Sequence, residues 1–116
     1  MRILVVEDEP AVLQALTFVL ESESFAVDTA ANGEEALRRV EGEPPDLIIL
    51  DLWMPVMNGW RFLERLRALG PPLDALPVIV VSADVKAGEA RLPIQAFMPK
   101  PMDVDRLLET VRAHLP

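Results

Sequence analysis

Three carboxylates, a hydroxyl and an amine stand at or just beyond the ends of short candidate strands in this chain, of which 3–6, 47–50 and 78–81 are wholly apolar. Glu7 and Asp8 follow residues 3–6, Asp51 follows 47–50, Ser82 follows 78–81, and Lys100 stands just beyond 95–98. Wholly apolar runs of this length read as strands buried on both faces. If those strands lie parallel in one sheet, all five polar residues meet at one rim. Crowded carboxylates repel: two unit charges about 4 Å apart cost about 4 kcal/mol at an effective dielectric of about 20. Such a cluster calls for a cation, and hard oxygen ligands with room for water suit Mg²⁺. Asp51 could then act as a nucleophile toward phosphorus, because carboxylates form acyl phosphates. Mg²⁺, Lys100 and Ser82 would offset the charge on the transferring phosphoryl oxygens.

Each of these residues also has a plainer reading when taken alone. Glu7 and Asp8 would serve as acidic neighbours of a helix N-terminus. Asp51 would be a solvated loop residue, Ser82 a structural hydroxyl, Lys100 a surface charge and Phe97 a core aromatic. Their joint placement at successive strand ends is what favours a phosphoryl site.

The elements that must position them follow from periodicity. Strands are expected over 3–6, 25–30, 47–50, 78–81 and 95–98. Pro10 suits a first helical turn, and Val12, Leu13, Leu16, Val19 and Leu20 carry helical spacing through residue 21. Asn32 is an N-cap for a helix over 33–40. A helix over 61–69 places Phe62, Leu63, Leu66 and Leu69 on one face, with Gly70 as its stop. Residues 84–92 are a weak helix candidate. Asp103 can cap a final helix bearing Val104, Leu107, Leu108, Val111 and Leu115. Strands alternating with helices predict an α/β fold with a doubly wound, five-stranded parallel sheet and helices on both faces. That arrangement resembles the flavodoxin-like one, in which ligands bind beyond the carboxyl ends of the strands. The charged residues along the helices read as solvated faces, Trp60 as half-buried packing and His114 as structural.

Composition narrows the function classes. The net charge is −8, from 11 Lys+Arg against 19 Asp+Glu. Direct nucleic-acid binding, which needs a basic surface, is not expected. No apolar run reaches the about 20 residues of a membrane span, and residues 1–9 lack the pattern of a signal peptide. With no cysteine, there is no disulfide framework and no thiolate chemistry. A cytoplasmic location is the expectation. The length of 116 residues fits a single domain, so no output domain is expected within 1–116.

Four motifs carry a family resemblance. Val5-Val6-Glu7-Asp8-Glu9-Pro10 and Pro45-Asp46-Leu47-Ile48-Ile49-Leu50-Asp51-Leu52-Trp53-Met54-Pro55-Val56-Met57-Asn58-Gly59 resemble the acidic and phosphoacceptor motifs of response-regulator receivers. Leu76-Pro77-Val78-Ile79-Val80-Val81-Ser82-Ala83 resembles the hydroxyl motif, and Phe97-Met98-Pro99-Lys100-Pro101 the lysine motif. The resemblance spans the whole chain in order. It implies a phosphorylation switch of a two-component or phosphorelay system, with Asp51 accepting phosphate from the phosphohistidine of a histidine kinase or phosphotransfer protein. It implies direct Mg²⁺ ligation by Asp8, Asp51 and the Trp53 carbonyl, with Glu7 acting through water. Ser82 and Lys100 would hold phosphoryl oxygens, and Ser82 and Phe97 would form the switch pair. The Lys100-Pro101 bond would be cis. An output partner is implied without being identified, and a phosphorylation-dependent homodimer is a state that the resemblance allows. Such a domain is not an enzyme beyond its own phosphorylation and dephosphorylation.

Two departures stand out. Receivers usually have about one more helical turn between hydroxyl and lysine, and a Gly-Ala pair before the last strand. Here residues 83–99 intervene and Pro93-Ile94 occupies that region. Pro93 suits no helix interior, so the fourth helix is expected to be short or irregular, and output through it follows an unusual route. Trp53 is the second departure: an indole two residues after the acceptor would hinder attacking water and lengthen the life of the phospho-form. Two other functions compete. A Mg²⁺ phosphatase with a nucleophilic aspartate usually carries a second Asp where Trp53 stands. A receiver-like interaction module would work without phosphorylation.

Overall fold

Strand β1 (Arg2–Val6) owes its place to its side chains, since Ile3, Leu4, Val5 and Val6 are all 1% exposed or less. The same holds for β3 (Leu47–Leu50) and β4 (Val78–Ser82), whose residues are all buried. The computed structural model describes residues 1–84 and 94–116. Among them, β2 (Ala26–Ala30) and β5 (Ala96–Pro99) complete a single sheet of order β2-β1-β3-β4-β5. Every pairing is parallel. Pro99 ends β5 at the sheet edge, where a missing ladder donor is tolerated.

Among the described residues, four α-helices cover the sheet: α1 (Pro10–Ser22), α2 (Gly33–Gly42), α3 (Gly59–Arg67) and α4 (Val104–His114). Pro10 opens α1. The side chains of Asn32, Asn58 and Asp103 accept from the N–H groups of Glu35, Arg61 and Arg106 at 2.9, 2.9 and 3.2 Å. These caps satisfy donors that a helix start leaves free. Helix α3 starts two residues before the expected 61, because the cap sits at Asn58, and stops at Arg67, short of the expected 69. Helix α2 runs to Gly42, beyond the expected 33–40.

Alternation along the strands sorts the core into two layers. Leu4, Val6, Ile48, Leu50, Val78 and Val80 face α2 and α3, packing with Ala36, Val40, Phe62, Leu63 and Leu66. Ile3, Val5, Leu47, Ile49, Ile79 and Val81 face α1 and α4, packing with Leu16, Leu20, Leu107 and Val111. Burying each such Leu, Ile or Phe contributes about 1.5–3 kcal/mol.

Arg67 departs from the solvated-face reading. Its Nη1 donates to the carbonyls of Asp74 and Leu76 at 2.8 Å each, tying α3 to the 3₁₀ turn Leu73–Ala75 that leads into β4. Burial lowers its pKa, against the partial offset from Asp74. The helix candidate over 84–92 and Pro93 fall, apart from Asp84, outside the described residues. Among the described residues, no helix is long and apolar enough to cross a membrane.

Candidate functional site

The chain leaves β1 for β2 on one side and later for β3 on the other, so a crevice opens beyond the carboxyl ends of β1 and β3. Glu7 and Asp51 stand at its two lips. The Glu7 N–H donates to the Ala30 carbonyl and the Asp51 N–H to the Val6 carbonyl, both at 3.0 Å, which locks each residue to the sheet. One strand further over, the Lys100 N–H donates to the Ser82 carbonyl at 3.0 Å. The Lys100–Pro101 peptide is cis.

Glu7, Asp8 and Asp51 each offer a carboxylate oxygen within 4.8 Å of the others. Glu7 is 3% and Asp51 7% exposed, whereas Asp8 is open to solvent. Lys100 Nζ donates to Glu7 Oε2 at 3.0 Å and lies 3.7 Å from Asp51 Oδ2. Glu7 Oε1 accepts the Glu9 N–H at 3.1 Å, so both Glu7 oxygens have donors. Asp51 Oδ1 lies 3.5 Å from the Trp53 N–H. Ser82 is fully buried, and its Oγ accepts the Asp84 N–H at 3.1 Å.

Among the described residues one ammonium faces three carboxylates, and burial, more than that shortfall, sets the titration of the two buried ones. Burial pushes the Glu7 carboxyl up, and the Asp51 charge adds to it, against the Lys100 hydrogen bond. Burial likewise raises Asp51, with Asp8 adding to it and Lys100 opposing. Burial alone would lower the Lys100 ammonium, but Glu7 and Asp51 together leave it raised. All the cluster's acidic donors are hard oxygens short of positive charge, which fits a hard divalent cation such as Mg²⁺.

An acid whose pKa is raised in the fold costs stability once the pH lies above its unfolded value. Asp51→Asn, which cannot ionise, is therefore expected to be more stable than the wild type at pH 7 without divalent cations. Urea unfolding of the two proteins in chelator checks this; a less stable variant would contradict it.

The structure thus brings Glu7, Asp8, Asp51 and Lys100 together, with Ser82 alongside on β4. Phe97 pairs with Val80 in the ladder and is half-buried against the α2/α3 core. His114 Nδ1 lies 2.9 Å from the Thr110 carbonyl, within its own helix. Trp60 is half-buried, and it meets the Trp53 ring edge to face, with centroids 4.6 Å apart and planes at 75°.

Two glycines that shape the site carry no chemistry of their own. A Cβ on Gly59 would lie 2.5 Å from the Asp51 carbonyl oxygen and 2.7 Å from Leu52 Cα. The Gly59 N–H donates to the Leu52 carbonyl at 2.9 Å. A Cβ on Gly33 would lie 2.8 Å from the Met57 carbonyl oxygen, which accepts the Gly33 N–H at 2.9 Å. The loop after β3 is so drawn against α2 and α3. Within it, Val56 has φ 65°, a left-handed conformation that costs a non-glycine residue about 1–2 kcal/mol. The Asn58-Gly59 pair was the available signal for the first contact; the others join segments far apart in the chain.

Comparison with known proteins agrees with this geometry. Residues 3–112 match the family model for the response regulator receiver domain. The response regulators MprA of Mycobacterium avium and Mycobacterium leprae are each 35% identical over 119 residues, covering 99% of this chain and 51% of theirs. The chain therefore spans about half the length of these curated relatives. A putative response regulator from Chloroflexus aurantiacus superposes with TM-score 0.90 at 28% identity, covering 97% of this chain and 94% of its own. The receiver domain of a sensor histidine kinase from Pseudomonas aeruginosa superposes with TM-score 0.89 at 25% identity, covering 97% and 95%. That structure has a magnesium ion coordinated in its active site cleft. With an acidic crevice at the switch point of a β2-β1-β3-β4-β5 sheet and a family match over nearly all its length, the chain belongs to the response regulator receiver domain family.

Proposed function

We propose that residues 1–116 form a single receiver domain that switches state when Asp51 is phosphorylated. The observation that carries this reading is the buried Asp51 carboxylate, set beside Glu7, Asp8 and Lys100 at the switch point. The donor is the phosphohistidine of a histidine kinase or phosphotransfer protein. An Asp51 carboxylate oxygen attacks phosphorus as the phosphorus–nitrogen bond breaks, and the electron pair of that bond leaves with the imidazole. Mg²⁺, held by Asp8, Asp51 and the Trp53 carbonyl and through water by Glu7, would supply charge that offsets the phosphoryl oxygens.

The chain's own residues do the rest. Glu7 holds Lys100 Nζ within reach of Asp51 Oδ2, so an ammonium is already aimed at the new phosphoryl group. The Ser82 hydroxyl turns from the Asp84 N–H toward that group, and Phe97 takes up the space behind it. Phosphorylation need only bias this two-state element to change a partner or output domain. The domain catalyses only its own phosphorylation and dephosphorylation. Trp53, 59% exposed two residues after the acceptor, adds apolar bulk that slows attack by water. The domain works in the cytoplasm, binds no nucleic acid or membrane itself, and can pair with a second phosphorylated copy.

Incubation with a small acyl phosphate tests the reading. One phosphoryl group should add in the presence of Mg²⁺ and none in excess chelator, followed by intact-protein mass spectrometry. Absence of uptake in Mg²⁺ would favour an interaction module that works unphosphorylated.

A further inference from the structure

We infer that Trp60 is a positioning residue of the site, acting through Trp53; this rests on the reading above that the Trp53 carbonyl is a cation ligand. The acceptor loop is tied down on either side of residue 53. At one end the Gly59 N–H holds the Leu52 carbonyl, and at the other the Gly33 N–H holds the Met57 carbonyl, both at 2.9 Å. Between these ties the Trp53 N–H makes only a long 3.5 Å approach to Asp51 Oδ1. The loop is also not in a relaxed conformation, since Val56 is 77% exposed with φ 65°.

Trp60 supplies a further tether. It is the second residue of α3 and packs half-buried against the core that includes Phe62 and Leu63, so it is a fixed platform. The Trp53 ring, largely in water, rests edge to face on that platform at 4.6 Å. Holding the ring restricts the Trp53 Cα and hence the direction of the Trp53 carbonyl, two residues after Asp51 in the chain. Preorganised donors cost less to order when a ligand arrives. Trp60 therefore sets how tightly the acidic site takes a cation, without touching that cation.

The test is calorimetric titration of the intact chain with Mg²⁺ alone, well below the unfolding temperature of each variant. Trp60→Ala should weaken Mg²⁺ binding about threefold to tenfold, the range that one aromatic contact supports. Trp60→Phe keeps an aromatic edge and should stay within about twofold of wild type. In Trp53→Ala the additional Trp60→Ala change should have no further effect. Trp60→Leu, which keeps apolar bulk without the ring, replaces Trp60→Ala if that variant does not fold. Wild-type affinity in Trp60→Ala or Trp60→Leu overturns the inference, because a residue that merely packs would leave the folded site intact. A wild-type protein that binds no Mg²⁺ instead overturns the site reading itself, before any variant is compared.

Discussion

Lys100→Met is expected to destabilise the protein by about 2–4 kcal/mol at pH 8 in the absence of divalent cations. Breaking a buried ion pair from one side costs about 3–5 kcal/mol. The lower range applies here because the Lys100 side chain is 19% exposed and Asp8 faces water. The loss comes from what is left behind. Glu7, 3% exposed, loses the donor to its Oε2, and three carboxylates then face one another with no cation between them among the described residues. Methionine restores the apolar stem but not the charge.

The pH dependence of that loss has a definite sign. Glu7 is raised above 4.5 by burial even with Lys100 opposing, so removing Lys100 raises it further. An acid with a raised folded pKa keeps its full stability below the unfolded value and loses it as pH rises through the folded value. The penalty in Lys100→Met should therefore shrink as pH falls from 8 toward the unfolded carboxylate value of 4.5. The contribution of Lys100 itself, raised above 10.5, is complete throughout this range and is lost only at higher pH. Urea titrations of both proteins across that range in chelator measure the difference. Equal stability at pH 8, or a difference that ignores pH, would contradict the pairing. Phosphoryl uptake by the variant should fall by about 10²-fold or more, in line with removal of one preorganised charge from a developing anion.

Gly59→Ala should destabilise the fold by about 1–3 kcal/mol, the usual cost of forcing atoms into a packed region. Intrinsic propensity predicts the reverse, since alanine is favoured over glycine within a helix by about 1 kcal/mol. Contact geometry decides the sign. The new Cβ would stand 2.5 Å from the Asp51 carbonyl oxygen and 2.7 Å from Leu52 Cα, both backbone atoms that no rotamer change can move. Either α3 or the backbone at Asp51 and Leu52 must shift. Thermal unfolding and phosphoryl uptake should both suffer, and a stabilised variant would show that the close approach is not a constraint.

The strands were legible because burial on both faces writes an unbroken apolar run, as in Leu47-Ile48-Ile49-Leu50. Their carboxyl ends then named Glu7, Asp8, Asp51, Ser82 and Lys100 without any geometry. Less was legible where the deciding contact is tertiary. Arg67 looks like any solvated helix arginine until the chain folds back and offers it two carbonyls. Lys100 Nζ lies nearer Glu7 than Asp51, a preference set by relative placement of strand ends that no motif encodes. The Ser82 hydroxyl is held by the Asp84 N–H, a local turn after the strand. Trp53 and Trp60 look like two separate aromatics in the sequence, one in a loop and one on a helix, and become a pair only when α3 folds against the loop.

The central claim is that Asp51 receives the phosphoryl group. Treatment with a small acyl phosphate and Mg²⁺, borohydride reduction of the acyl phosphate and peptide mapping test it most directly. A single reduced residue at position 51, absent from Asp51→Asn treated in the same way, is the expected result. Uptake at another residue, or undiminished uptake by Asp51→Asn, would contradict it.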